Sequence, residues 1–277
     1  MKKNLKFYLK NKLSKKELGL VPSSFDVVGD ILIFSEFPKQ LSKKEKIIGQ
    51  TILENYTNIK TILKKTKKYS GKFRTPKLKI IAGEKKKETT HKENNIILKL
   101  DVEKVYFSPR MSSERKRVLS LIKQDESILV MFSGCCPYPL VIAKNTKCRE
   151  VYGIDINPIA HRYALENIKK NKLQKKIKLF LGDVKIVIPV INKRFDRILM
   201  PLPKGGEDFL ALALKYIEHK GTIHFYDFEH EEELYKTKEK VIEACKKSNK
   251  TCKIINLTKC GQYSPRFYRV CVDFITN

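Results

Sequence analysis

The sequence predicts an α/β protein: a doubly wound sheet over residues 104–277, preceded by a smaller, basic α+β domain over 1–103. Three observations predict it. From about residue 104, short apolar runs alternate with turns and helical patterns, as expected for parallel strands joined by crossover helices. Before that point short strands and short helices follow one another without regular alternation. The charge is also uneven: 1–103 holds 25 basic and 11 acidic residues and 104–277 holds 33 and 19, so the shorter part carries an equal positive excess.

In the first domain, Lys43–Asn55 has apolar residues at helical spacing, whereas Asp26–Phe34 and Lys77–Ala82 read as strands. In the second, SILVMF, PLVIAK, EVYGID, a long helix from His161 to Lys170, IKLFLGD and FDRILM supply the alternation. TIHFYDF and RFYRVCVDFIT are aromatic and β-branched, flank a helix across 231–248, and would complete the sheet.

The chain has a formal charge of +28. An excess of this size repels itself unless an anionic partner is present, and nucleic acid is the first expectation. Residues 60–87 hold twelve Lys or Arg and one acid, Glu84. In that stripe Lys64, Lys65, Lys67, Lys68, Lys72 and Arg74, carried with Tyr69 and Phe73, are assigned to RNA phosphates. The alternative is a solvated Lys-rich surface. No apolar run approaches the roughly 18 residues of a membrane span, and the basic N-terminus lacks an apolar stretch behind it, so no membrane association and a cytoplasmic location are expected. Seven cysteines without a CxxC pair fit reduced thiols, and no metal site is expected.

In open α/β sheets ligands lie beyond the carboxyl ends of the strands. The first such loop, Phe132-Ser133-Gly134-Cys135-Cys136-Pro137, has one glycine where a dinucleotide fingerprint would have three. A nucleoside with an amino-acid tail and no phosphate, such as S-adenosylmethionine, fits it better. The second strand ends at Asp155-Ile156-Asn157, an acid where a ribose diol is held. The third ends at Asp183-Val184, placing an acceptor for an adenine amine, and the fourth at Pro201-Leu202-Pro203, where the acceptor base would sit. Taken singly, each Asp reads more often as a helix cap or turn former. Four such loops in order make the stronger case. His219, His224 and His230 are expected on a strand and on helix surfaces, and Tyr263, Phe267 and Tyr268 in the core rather than stacked on a base. Cys135 and Cys136 lie in the cofactor turn, which disfavours a covalent thiol mechanism.

Seven strings make a resemblance specific: SFDVVGDI, SGKFRTPKLKIIAGE, THKENN, VYFSPRMSSERKRV, MFSGCCPYPLVIAK, YGIDINPIA and FDRILMPLPKG. Together they resemble the archaeal/eukaryotic-type tRNA (guanine-37, N1)-methyltransferase family. The resemblance implies a class I S-adenosylmethionine-dependent methyltransferase domain behind an RNA-binding domain, acting as a monomer on the anticodon stem-loop of tRNA. It assigns Glu114 as the base that takes the N1 proton of guanine, Arg74 as the cation on O6, and Tyr106 and Arg110 to the cofactor pocket. Phe132, Gly134, Asp155, Ile156, Asn157, Asp183, Val184 and Pro201 complete that pocket, with Pro201 also on the acceptor side.

Without the resemblance, Glu114 would be a first-turn helix acid and Arg74 one more phosphate contact. Two departures from the family matter. The extra N-terminal domain of many relatives is not expected here, and Pro201 stands where many relatives have Asn. The Pro-x-Pro form resembles an archaeal subgroup of which some members also methylate a wyosine intermediate. Two rivals remain, an aminocarboxypropyl transferase on the same scaffold and a non-catalytic tRNA-binding protein.

Overall fold

The computed structural model describes residues 4–202 and 204–277, with backbone alone at 68–70, and divides the chain into two compact units. The first comprises Met1–Lys92 and Ile97–Pro109, the second Glu93–Ile96 and Arg110–Asn277. Pro203 and the side chains of Lys68 and Tyr69 lie outside the described residues.

The first unit begins with two short helices, α1 (Leu5–Leu9) and α2 (Lys15–Leu20). A reciprocal cap closes the start of α2: Ser14 Oγ accepts from Glu17 N, and the Glu17 carboxylate accepts from Ser14 N. The stretch expected as one strand over Asp26–Phe34 is two antiparallel strands, β1 (Asp26–Val28) and β2 (Ile31–Phe34). Gly29 breaks it. Its φ is +57°, and a Cβ there would lie 2.2 Å from Thr89 Oγ1, so only glycine turns the chain at that point.

A short 3-10 turn over Lys39–Lys44 leads into α3 (Glu45–Asn55), which occupies most of the expected Lys43–Asn55 helix. The basic stripe becomes a hairpin, β3 (Thr61–Ser70) and β4 (Thr75–Gly83), the second of which contains the expected strand Lys77–Ala82. The sheet order is β1-β2-β3-β4, with β2 and β3 parallel. Leu9, Leu32, Phe34, Leu41, Ile48, Ile52 and Ile62 form the core between this sheet and the helices, all at 0% exposure. A separate two-stranded ribbon, β5 (Glu88–Glu93) and β6 (Ile96–Asp101), turns at Asn94 and Asn95. Both have positive φ, which Asn tolerates better than most residues.

The second unit opens with α4 (Ser112–Leu119) and continues through β7 (Ser127–Met131), α5 (Pro137–Asn145), β8 (Glu150–Asp155), α6 (Pro158–Lys170), β9 (Ile177–Leu181), α7 (Val184–Ile191) and β10 (Phe195–Met200). It ends with α8 (Leu210–Tyr216), β11 (Ile217–His230), α9 (Tyr235–Lys247), β12 (Cys252–Ser264) and β13 (Phe267–Thr276). Strand β12, with its exposed Lys, Asn and Gln and its register shifts, was not legible in the sequence. The seven strands order as β12-β13-β11-β10-β7-β8-β9. Strands β9, β8, β7, β10 and β11 are parallel, and β13 is antiparallel to β11 and β12.

Strand β7 lies at the centre of the parallel part with all five residues buried, which is why SILVM carries no polar alternation. The order reverses between β7 and β10, and in open α/β sheets ligands bind beyond the carboxyl ends at such a switch.

Candidate active site

The loops leaving β7, β8 and β9 are tied to one another at that carboxyl edge. Ser133 N donates to Ile154 O at 2.8 Å, Gly134 N to Asp155 Oδ2 at 2.6 Å, and Gly182 N to Asp155 O at 2.9 Å. The first loop achieves this by setting Phe132, Gly134 and Cys136 at φ +59°, +57° and +78°. A non-glycine residue held there costs on the order of 1–3 kcal/mol, strain that concentrates at ligand sites. Asp155 also accepts from Asn157 N at 2.8 Å, so both carboxylate oxygens are held by the backbone. Burial pushes Asp155 above the ordinary aspartate range, against the bonds from Asn157 and Gly134.

Around Asp155, the half-buried Phe132 packs edge-on against Phe209, centroids 4.9 Å apart. Ile156 is half-buried, and Val184 is in the core beneath. Asp183 caps α7 by accepting from Lys185 N through Oδ1, and Asn157 caps α6 by accepting from Ile159 N and Ala160 N. Pro201 is half-buried beyond the fully buried Met200. Arg110 is exposed in a single 3-10 turn ahead of α4, and Tyr106 is half-buried in the first unit. The donor set fits a nucleoside with an amino-acid tail: two acids with unused acceptor capacity, apolar flanks, and one glycine turn without a phosphate cradle.

Glu114 occupies the first turn of α4, where the helix dipole favours an acid, but it is buried. Its Oε1 accepts from Arg117 Nη2 at 2.8 Å and from Tyr226 OH at 2.7 Å, and its Oε2 accepts from Arg117 Nε at 2.7 Å. One lone pair on Oε2 is left over from these bonds. Tyr138 OH donates to Tyr226 OH at 3.0 Å, extending the chain towards α5.

On its other side Arg117 donates to both oxygens of Asp273, at 2.6 and 3.2 Å. Asp273 holds His224 Nδ1 at 2.6 Å, and His224 Nε2 lies 2.7 Å from Arg197 Nη1. Arg197 in turn forks onto Glu126. Burial opposes ionisation of Asp273, but bonds from His224 and Arg117 outweigh it and hold the carboxyl well below its ordinary range. Burial also lowers His224, so the ring is neutral, with Nδ1–H donating to Asp273 and Nε2 accepting from Arg197.

Glu114 was assigned from the resemblance, and the partners the structure gives it were not read from the sequence. Arg117 had a signal, since residues three apart on a helix are neighbours. Tyr226, Asp273 and His224 had none, because they lie on strands more than a hundred residues away. His219, His224 and His230 all fall on β11, so His219 and His230 are on a strand and not on helices, and His224 on that strand is fully buried.

The stripe assigned to RNA divides. Lys64 pairs with the α3 carboxylate Glu45 and lies over the Phe37 ring, and its side chain is 15% exposed. Lys65 donates to Ser35 Oγ at 3.3 Å. Lys67 and Lys72 are exposed, as is Phe73, and Arg74 stands half-buried at φ +50° in the turn joining β3 to β4. Arg74 belongs to the first unit and Glu114 to the second.

Cys135 and Cys136 are fully buried, and burial pushes the Cys135 thiol up to about 12, which removes the thiolate a covalent mechanism needs. His224, Cys271 and Asp273 bring ligand-type atoms within 4.8 Å, but Arg117 and Arg197 already supply the positive charge there.

Strand order and loop chemistry together define a class I methyltransferase domain. The chain belongs to the TRM5/TYW2 methyltransferase family: that domain's sequence pattern matches residues 89–255, and the TYW2 N-terminal domain matches residues 5–86. It is 40% identical over 255 residues to the tRNA (guanine(37)-N(1))-methyltransferase Trm5b of Pyrococcus abyssi, covering 92% of this chain and 75% of that protein. It is 32% identical over 253 residues to the tRNA(Phe) (4-demethylwyosine(37)-C(7)) aminocarboxypropyltransferase of Methanocaldococcus jannaschii, covering 90% and 96%.

Among solved structures, the complex of aTrm5 and tRNALeu superposes with a TM-score of 0.88 at 32% identity, covering all of this chain and 79% of that one. M. jannaschii TYW2 in complex with AdoMet superposes at 0.70 with 25% identity, covering 92% and 99%. Members of the family therefore bind tRNA and AdoMet.

Proposed function

We propose that this chain is a cytoplasmic, monomeric tRNA methyltransferase that moves a methyl group from S-adenosylmethionine to N1 of guanosine 37, beside the anticodon. The observation that carries the reading is the 40% identity over nearly the whole chain to a guanine-37 N1-methyltransferase, joined to a carboxylate-lined site at the switch in strand order. Residues 1–103 would grip the anticodon stem-loop, through Lys67 and Lys72 with Arg74 at the turn, and 104–277 would hold the cofactor and carry the base.

When bound, the cofactor supplies an electrophilic methyl group. Asp155 would hold the ribose diol, and Asp183 Oδ2 the adenine amine. Phe132, Gly134, Ile156, Asn157, Val184 and Pro201 shape the walls of that pocket, with Tyr106 and Arg110 assigned to its rim. Neutral guanine carries a proton on N1, so the nitrogen attacks only as that proton leaves. Glu114 Oε2 has the lone pair to take it, and Arg117 and Tyr226 fix the carboxylate so that it needs no reorganisation. Arg74 would meet the charge that develops on O6.

Glu114→Gln keeps the size but cannot take the proton, so single-turnover methylation of unmodified tRNA should fall by about 10²–10⁴-fold. Nucleoside mass analysis of the wild-type product should show a methyl group on guanosine; a Glu114→Gln enzyme within a few-fold of wild type would take the base role from this residue. A second reading, transfer of the aminocarboxypropyl group onto a wyosine-type guanine, is favoured by the match of residues 5–86 to the TYW2 N-terminal domain. The heavier product would identify it, and a methylated wyosine intermediate would show that both bases are accepted.

A further inference from the structure

Strand β11 carries Tyr226, Phe228 and His230 at alternate positions, hence on one face of the sheet. Tyr226 is the residue that donates to Glu114. Phe228 therefore stands one repeat, about 6.6 Å, and His230 two repeats, about 13 Å, along the strand from Tyr226 towards the carboxyl edge. Opposite them on β13, Arg269 pairs with Phe228 and Phe267 with His230, and directly opposed residues share a face. The Arg269 guanidinium lies 5.2 Å from the Phe228 ring, and the Phe267 and His230 rings are 5.3 Å apart.

A bulge completes the group. Gln262 pairs with Tyr268 and Ser264 with Phe267, so Tyr263 is the extra residue, re-aimed until its ring sits 4.4 Å from that of Phe228. The outer surfaces of this group are in water: Tyr263 is 65% exposed and Phe267 43%, although the sequence suggested core positions for both.

The charges around it are paired with one another. Glu229, Glu231, Glu232 and Glu233 surround the tip of β11, held by Lys240, Arg266 and Lys236. Those carboxylates are paired with these cations, so the surface left open here is the ring faces of Tyr263 and Phe267. Unpaired bases, which have stacking faces and exocyclic amines, suit such a surface.

We propose that Tyr263 and Phe267, backed by Phe228 and His230, form a stacking shelf for one or two unpaired RNA bases adjoining the base that Glu114 deprotonates. The proposal rests on the reading of this unit as an RNA methyltransferase, and names the part of the RNA loop that the site holds.

The test uses the full chain, a tRNA transcript with 2-aminopurine beside guanosine 37, and two double variants. Tyr263→Ala with Phe267→Ala removes the rings; Tyr263→Phe with Phe267→Tyr keeps them. Binding to wild type should quench the 2-aminopurine fluorescence. The alanine pair should lose the quenching and bind about five- to a hundredfold more weakly, the range for stacking a base. The slope of log affinity against log salt should not change, because neither ring neutralises a phosphate. The ring-keeping pair should behave as wild type, with equal melting temperatures showing that all are folded.

Absence of quenching in wild type, or an alanine pair that binds and quenches normally, would overturn the shelf. So would a wild-type dimer, seen by sedimentation, that the alanine pair dissolves while RNA binding is unchanged. Wild type that quenches but transfers no methyl group would instead break the reading of the reaction and leave the shelf standing.

Discussion

The β3–β4 hairpin of the first unit and the chain of ionised groups from Glu126 to Glu114 in the second are both dense in charge, yet the charge does opposite work in each. In the hairpin most charges have one sign and stand in water at Lys67, Lys72 and Lys77, so they repel one another until an anion arrives. In the second unit the signs alternate: Glu126, Arg197, neutral His224, Asp273, Arg117, Glu114. Buried ions are tolerable only when each is paired and hydrogen-bonded, and here each is. Net charge in a sequence thus measures appetite for a partner only where the structure leaves the charge unspent. Lys64 marks the border, since it is a stripe lysine already committed to Glu45.

Breaking the buried chain should give the largest effect. Arg117→Ala strands two buried carboxylates, and should cost on the order of 3 kcal/mol in urea unfolding, the lower end for a broken buried pair because Arg117 is one-fifth exposed. A cost under about 1 kcal/mol, the scale of an exposed pair, would mean that Glu114 and Asp273 find water instead.

Charge reversal of Lys67 and Lys72 should do the reverse. Stability should change by no more than about 0.5 kcal/mol, while the slope of log affinity for tRNA against log salt falls by about 0.7–0.9 for each phosphate no longer neutralised. An unchanged slope would make the exposed stripe a solvated surface.

Acid should separate the two regions further. His224 is lowered by burial, so below its ordinary value of about 6.5 the unfolded chain binds the extra proton and stability falls with pH. Asp273 is held low when folded; its contribution is present above about 4 and is lost as pH drops further. His224→Gln should remove the first of these losses from the melting-temperature profile, and a profile that keeps it would assign that loss to another group.

The smallest effect is expected at the border. Lys64→Ala leaves Glu45 with Lys79 and should cost about 1 kcal/mol or less, with no change in salt slope. A reduced slope would return Lys64 to the RNA-binding set.

Much of the fold was legible because parallel strands are apolar throughout and crossover helices follow a 3.6-residue period. SILVM, EVYGID and FDRILM read directly as β7, β8 and β10, and the acid ending β8 followed from strand order. The break at Gly29 was hidden inside an apolar run, because the need for a turn came from Thr89, far along the chain. Strand β12 was hidden because an edge strand with one neighbour lacks the uniform apolar pattern of a central one.

The sequence by itself determined the two-part architecture, the loops that face the crevice and the carboxylates within them, since periodicity, turn chemistry and strand order are local or cumulative along the chain. Which charges are spent inside and which face a partner was decided only by tertiary structure. So was the exposure of Tyr263 and Phe267, the first of them the extra residue of a bulge, both of which the sequence suggested for the core. Glu114, Tyr226 and Asp273 meet because α4, β11 and β13 pack together, and a hydrogen bond between residues 112 or more positions apart leaves no period or spacing in the sequence to read.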